Sequence, residues 1–252
     1  MTDPHKASER LTVLNDKLIV ALDVSSVDAA KEIVGRLSGV VDTFKIGLQL
    51  FSAAGGDLVS ELVDGGSKIF LDLKFHDIPN TVSKAGIEAA RLGVWMFNVH
   101  ASGGGEMMSR TVDEVGEFCF KSNLAIPRII GVTVLTSTSA ETLQEIGIDR
   151  KIDDQVVRLA QLTAASGLHG VVASPNEIKE IRNAVNDPGF LIVTPGIRSK
   201  YATNDDQKRV MTPGAAIAKG SNYIIVGRPI INAPDPHFAA VQILEEINSS
   251  RQ

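Results

Sequence analysis

The feature that most constrains the fold is a regular alternation between short apolar segments and amphipathic segments, which runs from residue 17 to residue 247. The apolar segments are rich in Val and Ile and have the length of buried strands, whereas apolar residues recur at helical spacing in the segments between them. The predicted strands are 17–23, 44–48, 68–74, 94–100, 128–135, 170–173, 191–195 and 223–227. The predicted helices are 27–37, 57–63, 81–92, 106–120, 155–165, 175–185, 213–219 and 238–247.

This alternation predicts an α/β protein with a parallel sheet, because parallel strands need crossover connections and are buried on both faces. Eight strand–helix units of about 30 residues each fit a (β/α)8 TIM barrel better than an open doubly wound sheet. No GxGxxG motif follows the first strand, which argues against an NAD-type Rossmann fold. Without a linker or a composition shift, residues 1–252 are predicted to form a single TIM-barrel domain, with 1–16 as an N-terminal extension.

Composition excludes several classes of function. The net charge is −5 and the sequence pI is about 5.6, so the chain lacks the overall basic charge typical of nucleic-acid binding. The single cysteine, Cys119, excludes an intramolecular disulfide and a cysteine zinc cluster, and fits a reducing compartment. No apolar run approaches the roughly 18 residues of a membrane span, and no signal peptide is evident. We therefore predict a cytoplasmic protein without nucleic-acid or membrane partners.

Four charged residues fall at the ends of the first three predicted strands. Asp23 ends the first strand, Lys45 lies in the second, and strand alternation places Asp72 and Lys74 on one face of the third. We predict that these side chains converge at the carboxyl end of the barrel, where barrel enzymes carry their catalytic residues. Their alternating signs would allow them to compensate one another when buried. The alternative is an ion-pair network that only fixes the strand register.

The seventh and eighth predicted strands are followed by candidate phosphate ligands. The sequence TPGIR carries Arg198 after strand 7, and VGRPI carries Gly227 and Arg228 after strand 8. Barrels often bind phosphate at these two loops, through backbone N–H groups and a cation. The polar residues that follow Arg198 predict a mobile phosphate lid at 198–211, with an ordinary solvated loop as the alternative.

Two histidines, His76 and His100, are candidate metal ligands because they fall near Asp72 and Asp77. A histidine beside carboxylates is more often a hydrogen-bonded structural residue than a ligand. We therefore predict no metal site.

Six motifs occur in barrel order and together resemble the orotidine 5′-monophosphate decarboxylase family in its bacterial, stand-alone form. The motifs are ALD at 21–23, FKIG at 44–47, DLKFHDIPNT at 72–81, TVLTS at 133–137, TPGIR at 194–198 and VGRPI at 226–230. The resemblance implies a carboxy-lyase that converts orotidine 5′-monophosphate to UMP and CO2, the last step of de novo pyrimidine (UMP) biosynthesis. It also implies that the reaction needs no metal and no organic cofactor.

The resemblance assigns roles to the charged residues. Lys74 is implied to donate a proton to C6 of the pyrimidine, while Asp72 faces the carboxylate of the substrate. Lys45 and Asp23 complete the charged array and contact the ribose. Asp77 is the fourth implied catalytic residue, beside Lys45, Asp72 and Lys74.

The resemblance further implies a homodimer with shared active sites, in which Asp77, Ile78 and Thr81 reach the site of the neighbouring subunit. Ser137, with Thr136 beside it, matches the position that binds the pyrimidine. The implied substrate-binding residues are Asp23, Lys45, Ile78, Thr81, Thr136, Ser137, Pro195, Arg198, Gln207, Gly227 and Arg228. Among these, Gln207 bridges the base and the phosphate, and Gly227 and Arg228 hold the phosphate.

The nearest rival is a Mg²⁺-dependent sugar-phosphate decarboxylase or synthase of the same superfamily, which shares the Asp-x-Lys-x-x-Asp pattern and the phosphate site. Lys45, the Thr136–Ser137 pair and Gln207 favour the pyrimidine enzyme. A Schiff-base aldolase would need a lysine with a depressed pKa in apolar surroundings, whereas aspartates flank Lys74. The non-enzymatic alternative is a phosphate-binding barrel without activity, which nothing in the sequence favours.

Overall fold

Eight parallel strands close into a barrel in the order of the chain, which confirms the predicted (β/α)8 architecture. The computed structural model describes residues 16–198 and 211–250. The strands are β1 (Leu18–Ala21), β2 (Thr43–Gly47), β3 (Lys68–Phe75), β4 (Met96–His100), β5 (Arg128–Val132), β6 (Gly170–Val172), β7 (Leu191–Thr194) and β8 (Tyr223–Val226). Most of their residues are buried, as expected for parallel strands that are covered on both faces.

Helices follow the strands. They are α1 (Val27–Arg36), α2 (Leu48–Asp64), α3 (Pro79–Arg91), α4 (Gly105–Ser122), α5 (Ala140–Glu145), α6 (Ile152–Ala165), α7 (Ile178–Ala184), α8 (Pro213–Ala218), α9 (Arg228–Ile231) and α10 (Pro236–Ser249). Side-chain caps mark several helix starts: the side chains of Ser26, Ser139, Thr212 and Asp235 each accept a hydrogen bond from a backbone N–H in the first turn.

The chain divides into two compact units, one comprising Leu71–Val193 and the other comprising the residues before and after that segment. In the Leu71–Val193 unit, α6 and α7 pack on β6 and β7 through a buried cluster that includes Val156, Val171, Ile181 and Ile192. In the other unit β1 pairs with both β2 and β8, so that Val20 lies between Phe44 and Val226. The single domain proposed from the sequence stays a prediction.

Three helical segments differ from the prediction. The helix predicted at 57–63 is the second part of α2, which begins at Leu48 directly after β2 and is interrupted at Gly55. Gly55 has a φ of 67°, a left-handed conformation that glycine adopts without steric cost. The short helices α5 and α9 were not predicted, because segments of six and four residues carry too little periodicity to be recognised.

Most of the predicted phosphate lid, 199–210, lies outside the described residues, as does Gln207. At the two ends of that segment, the N–H of Arg198 donates to the carbonyl oxygen of Met211 at 3.1 Å, and Ile197 forms a parallel bridge with Met211. Within residues 16–198 and 211–250, no helix is both long and apolar enough to cross a membrane. The cytoplasmic location stays a prediction.

Candidate active site

The first predicted pair joins Asp23, two residues after the end of β1, to Lys45 in the middle of β2. Lys45 is almost fully buried, and its Nζ donates to Oδ1 of Asp23 at 3.1 Å. The Asp23 side chain is 55% exposed, so its carboxylate faces outward from the buried ammonium group. A buried lysine beside an exposed carboxylate can fix that carboxylate for contact with a polar ligand.

Two glycines leave room around this pair. A Cβ atom at Gly47 would lie 3.1 Å from Nζ of Lys45, and one at Gly227 would lie 3.3 Å from Oδ2 of Asp23. Gly227, which follows β8 directly and is predicted to hold the phosphate, therefore lies beside Asp23, which is predicted to contact the ribose. The absence of a side chain at both positions keeps the two charged groups in place.

The second predicted pair, Asp72 and Lys74, lies at the end of β3. Nζ of Lys74 donates to Oδ1 of Asp72 at 2.7 Å, and the exposed fractions of the two side chains are 27% and 13%. This short, partly desolvated contact holds an ammonium group against a carboxylate at the strand end where barrel enzymes carry catalysis. The structure therefore places Lys74, the implied proton donor, in contact with Asp72, which is implied to face the carboxylate of the substrate.

Lys74 has an unusual backbone. Its φ is 51°, and within the described parts of the chain Asn123 is the only other non-glycine residue with a positive φ. The left-handed conformation costs a residue with a Cβ atom roughly 1–2 kcal/mol, so surrounding contacts must hold it. The N–H of Lys74 donates to Oδ1 of Asn98 at 2.8 Å. Such backbone conformations cluster at functional sites.

Asn98 is the site residue that the sequence analysis missed. It lies in β4 between buried apolar residues, and its Nδ2 donates to Oδ1 of Asp72 at 2.7 Å. An amide within the otherwise apolar run MFNV was the available signal, because a buried amide needs hydrogen-bond partners.

The residues predicted to serve a neighbouring subunit are exposed. Asp77 and Ile78 follow β3, and Thr81 lies in the first turn of α3. Oδ1 of Asp77 accepts from the N–H of Ile78 at 2.6 Å, while the Ile78 side chain points outward and the residue is 66% exposed. The arrangement leaves an aspartate, an apolar side chain and a hydroxyl on one stretch of surface.

The predicted pyrimidine-binding residues, Thr136 and Ser137, form an exposed turn after β5. The N–H of Thr138 closes the turn on the carbonyl oxygen of Leu135 at 2.9 Å. In the part of the chain that the structure describes, neither the Thr136 nor the Ser137 hydroxyl has a hydrogen-bond partner. Both hydroxyls are thus available to a ligand.

The predicted phosphate residues lie where β7 and β8 end. Pro195 follows β7 directly, and Gly196 after it has a φ of 76°. After β8, the carbonyl oxygen of Gly227 accepts from the N–H groups of Ile230 and Ile231, which starts the short helix α9 at the exposed Arg228. An arginine therefore follows each of these two strands, Arg198 after β7 and Arg228 after β8. Their contact with phosphate stays a prediction.

The two histidines considered as metal ligands lie beside each other, with ring centroids 5.4 Å apart and ring planes tilted by 43°. Burial lowers the pKa of His100 below its usual value, and the nearby His76 and Lys74 lower it further, whereas Asp72 raises it. Among residues 16–198 and 211–250, no cluster of three or more His, Cys, Asp or Glu side chains could hold a metal ion.

Comparison with known proteins identifies a family. A family model described as "Orotidine 5'-phosphate decarboxylase / HUMPS family" matches residues 16–243. The orotidine 5'-phosphate decarboxylase of Syntrophotalea carbinolica is 54% identical over 231 residues, which cover 92% of this chain and 94% of that protein. The protein of the same name from Geobacter sulfurreducens is 50% identical, with 92% and 96% covered.

Solved structures give the same result. The crystal structure of orotidine 5'-phosphate decarboxylase from Lactobacillus acidophilus matches with a TM-score of 0.83 at 38% identity, and the match covers 92% of this chain and 99% of that chain. An uncharacterized conserved protein from Geobacillus kaustophilus matches with a TM-score of 0.81 at 36% identity, with 92% and 100% covered.

Proposed function

This chain belongs to the orotidine 5'-phosphate decarboxylase / HUMPS family, and we propose that it is a carboxy-lyase that converts orotidine 5′-monophosphate to UMP and CO2. The observation that carries the proposal is the contact of 2.7 Å between Nζ of Lys74 and Oδ1 of Asp72. Relatives named orotidine 5'-phosphate decarboxylase match 92% of this chain at 50–54% sequence identity, which supports the same activity here.

The chemistry explains why such a pair is needed. Loss of CO2 from C6 of the pyrimidine leaves a carbanion that no neighbouring carbonyl group delocalises well. The enzyme must therefore stabilise the developing negative charge electrostatically and then supply a proton. We propose that the ammonium group of Lys74 does both, while Asp72 faces the carboxylate that leaves.

Charge repulsion alone is too small to account for the reaction. Two like charges about 4 Å apart in an effective dielectric near 20 repel by only ~4 kcal/mol, whereas enzymatic accelerations correspond to ~8–23 kcal/mol. The remainder must come from contacts that strengthen in the transition state, including contacts remote from the reacting bond.

We assign those remote contacts to the other predicted residues. Asp23, held by Lys45, is proposed to bind the ribose, and Thr136 and Ser137 are proposed to bind the pyrimidine. The proposed phosphate contacts are Pro195, Arg198, Gln207, Gly227 and Arg228, with 198–211 closing over the phosphate as a lid. The exposure of Asp23, Thr136, Ser137 and Arg228 supports these roles, because each can reach a ligand.

The proposed enzyme is a homodimer in which Asp77, Ile78 and Thr81 complete the site of the partner. The support is that Asp77, Thr81 and Ile78, which is 66% exposed, all lie on the surface, where they can reach a second copy of the chain.

The assay follows the ultraviolet absorbance of orotidine 5′-monophosphate incubated with purified protein and EDTA, with UMP identified as the product. Decarboxylation in EDTA at the rate measured without it would establish the proposed function. Activity only after Mg²⁺ is added, or activity on a sugar phosphate alone, would favour the magnesium-dependent rival. That rival is retained because the matched family model also covers the HUMPS group.

A further inference from the structure

The side chain of Asn98 is fully buried in β4 and yet hydrogen-bonds through both of its polar atoms to the candidate site. Nδ2 donates to Oδ1 of Asp72 at 2.7 Å, and Oδ1 accepts from the backbone N–H of Lys74 at 2.8 Å. The chemistry of these partners fixes the orientation of the amide, since a backbone N–H can only donate and a carboxylate can only accept. One side chain on β4 therefore binds both members of the pair on β3.

The contact with Asp72 orients its carboxylate. Oδ1 of Asp72 accepts from Nδ2 of Asn98 and from Nζ of Lys74, both at 2.7 Å. Asn98 lies within β4, where it pairs with Ile130 of β5, and its short side chain is fully buried, so its amide has little freedom to move. The ammonium group lies at the end of a long, flexible side chain. Asn98 is thus the rigid partner that defines where the shared oxygen lies.

The contact with Lys74 holds its backbone. A φ of 51° is disfavoured for lysine, and the N–H of Lys74 bonds to the amide of Asn98. The bond fixes the plane of the peptide group between Leu73 and Lys74, from which the backbone and side chain of Lys74 continue. The hydrogen bond therefore favours the backbone conformation from which Nζ reaches Asp72.

We propose that Asn98 is a positioning residue, which fixes the Asp72 carboxylate and the left-handed backbone of Lys74 so that the ammonium group is held ready for proton transfer. It acts through these two residues and has no contact with the substrate. The inference rests on the proposed function, in which Lys74 is the proton donor.

The role requires one donor and one acceptor at fixed positions, which predicts different results for two substitutions of similar shape. Asn98→Leu removes both hydrogen bonds and keeps a side chain of similar shape. We expect kcat to fall about 10–100-fold, as for other residues that orient a reacting group. KM should change little, because Asp23, Lys45 and the phosphate residues are untouched.

Asn98→Asp gives a signature that a purely structural role would not. The introduced carboxyl group keeps an acceptor for the N–H of Lys74, but when ionised it has no donor and repels Asp72. When protonated it again donates to Asp72 and restores the arrangement of the wild-type protein. The ratio of variant to wild-type kcat should therefore rise as pH falls.

The other titratable groups near this position are Asp72 and Lys74 on β3, with His76 after it, and His100 on β4. They are present in both proteins, so the ratio of kcat values reports chiefly the introduced group. The matched control is Thr111→Val, which removes another fully buried polar group from the same unit. The hydroxyl of Thr111 donates to the carbonyl oxygen of Met107 within α4, at 2.7 Å, away from Asp72 and Lys74, and the control should retain wild-type kcat.

Folding of each variant is checked by circular dichroism and thermal denaturation. If Asn98→Leu does not fold, the pH dependence of Asn98→Asp decides alone. The inference would be overturned if Asn98→Leu kept the wild-type kcat, or if the kcat ratio for Asn98→Asp did not change with pH. Either result would leave the proposed function intact, provided that the wild-type protein is active. A wild-type protein without activity on orotidine 5′-monophosphate would overturn both.

Discussion

At the scale of single residues, the candidate site depends on side chains whose positions are set by their neighbours. Lys45 is buried and contacts Asp23, and Lys74, whose backbone has a left-handed conformation, contacts Asp72. Lysines on the surface have four flexible bonds and no fixed position. The two site lysines are held in place, as catalysis by preorganised charge requires.

Lys74→Ala should fold and lose most of its decarboxylase activity. General acid catalysis alone contributes about 10²–10⁴-fold, and the same ammonium group is proposed to stabilise the carbanion, so we expect a fall in kcat of at least this size. The matched control is Lys31→Ala, which removes a lysine paired with Glu61 on the surface and should keep full activity. Substantial turnover by Lys74→Ala would contradict the role of Lys74 as proton donor.

Gly227→Ala should impair the enzyme although it adds one methyl group. The new Cβ would lie 3.3 Å from Oδ2 of Asp23 and 3.4 Å from Cβ of Ala21, which is tight enough to displace the carboxylate by a few tenths of an ångström. We expect kcat/KM to fall about tenfold, since small misplacements of positioning groups are costly.

The control for that variant is Gly35→Ala, in which the added methyl group meets no atom within 4 Å on the exposed face of α1. This change should leave kcat/KM unaltered and stabilise the protein by at most ~0.5–1 kcal/mol, because alanine has the higher helix propensity and Gly35 lies in the last turn of α1. Equal kcat/KM in the two variants would show that the space beside Asp23 is unimportant.

At the scale of elements, the packing of α3 on α4 determines how the loop before α3 is presented. The carboxylate of Glu114 on α4 accepts from Oγ of Ser83 at 2.8 Å and Nζ of Lys84 at 3.0 Å, both on α3, and from Nε of Arg110 at 2.7 Å. Arg110 also donates to Oδ1 of Asn80 at 3.0 Å. This network anchors the first turns of α3, which directly follow Asp77 and Ile78.

The network predicts a pH dependence of stability. The hydrogen bond from Arg110, followed by those from Ser83 and Lys84, lowers the pKa of Glu114 to about 2 from 4.5. Because the pKa is lower in the folded protein, this stabilisation is fully present above about pH 4.5 and is lost as pH falls toward 2. Glu114→Gln should therefore unfold more easily at pH 7 and show a weaker loss of stability on acidification.

The measurement is denaturant unfolding of both proteins at several values between pH 7 and pH 3. Glu61→Gln, which alters an exposed pair with Lys31, is the matched control and should follow the wild-type curve. Parallel curves for Glu114→Gln and the wild-type protein would mean that the network does not stabilise the fold.

The elements show how far the sequence could predict the structure. Valine- and isoleucine-rich strands at a repeat of about 30 residues predict a TIM barrel, because only strand burial and crossover helices satisfy that pattern. The start of α2 at Leu48 was not predicted, because the non-helical backbone of Gly55 interrupts the helical spacing of the apolar residues. The charged residues of the site could be identified from alternation, but the φ of Lys74 and the contacts of Asn98 depend on β3 meeting β4.

At the scale of the whole molecule, the proposed active site is complete only when a second copy of the chain supplies Asp77, Ile78 and Thr81. The proposal is that each active site uses Lys74 of one subunit and Asp77 of the other. A single subunit would then carry all required residues and still have no complete site. This separation gives a test that does not depend on seeing the dimer.

Two inactive variants, Lys74→Ala and Asp77→Ala, should restore activity when they assemble together. In the hybrid dimer, one site combines both substitutions, while the other pairs an intact Lys74 with an intact Asp77. Random association makes half of the dimers hybrid, and half of their sites are intact, so about a quarter of the wild-type activity should return. Coexpression of two differently tagged chains provides the hybrid, and each variant expressed alone provides the control. If Asp77 instead served the site of its own subunit, neither site of the hybrid would be intact and no activity would return.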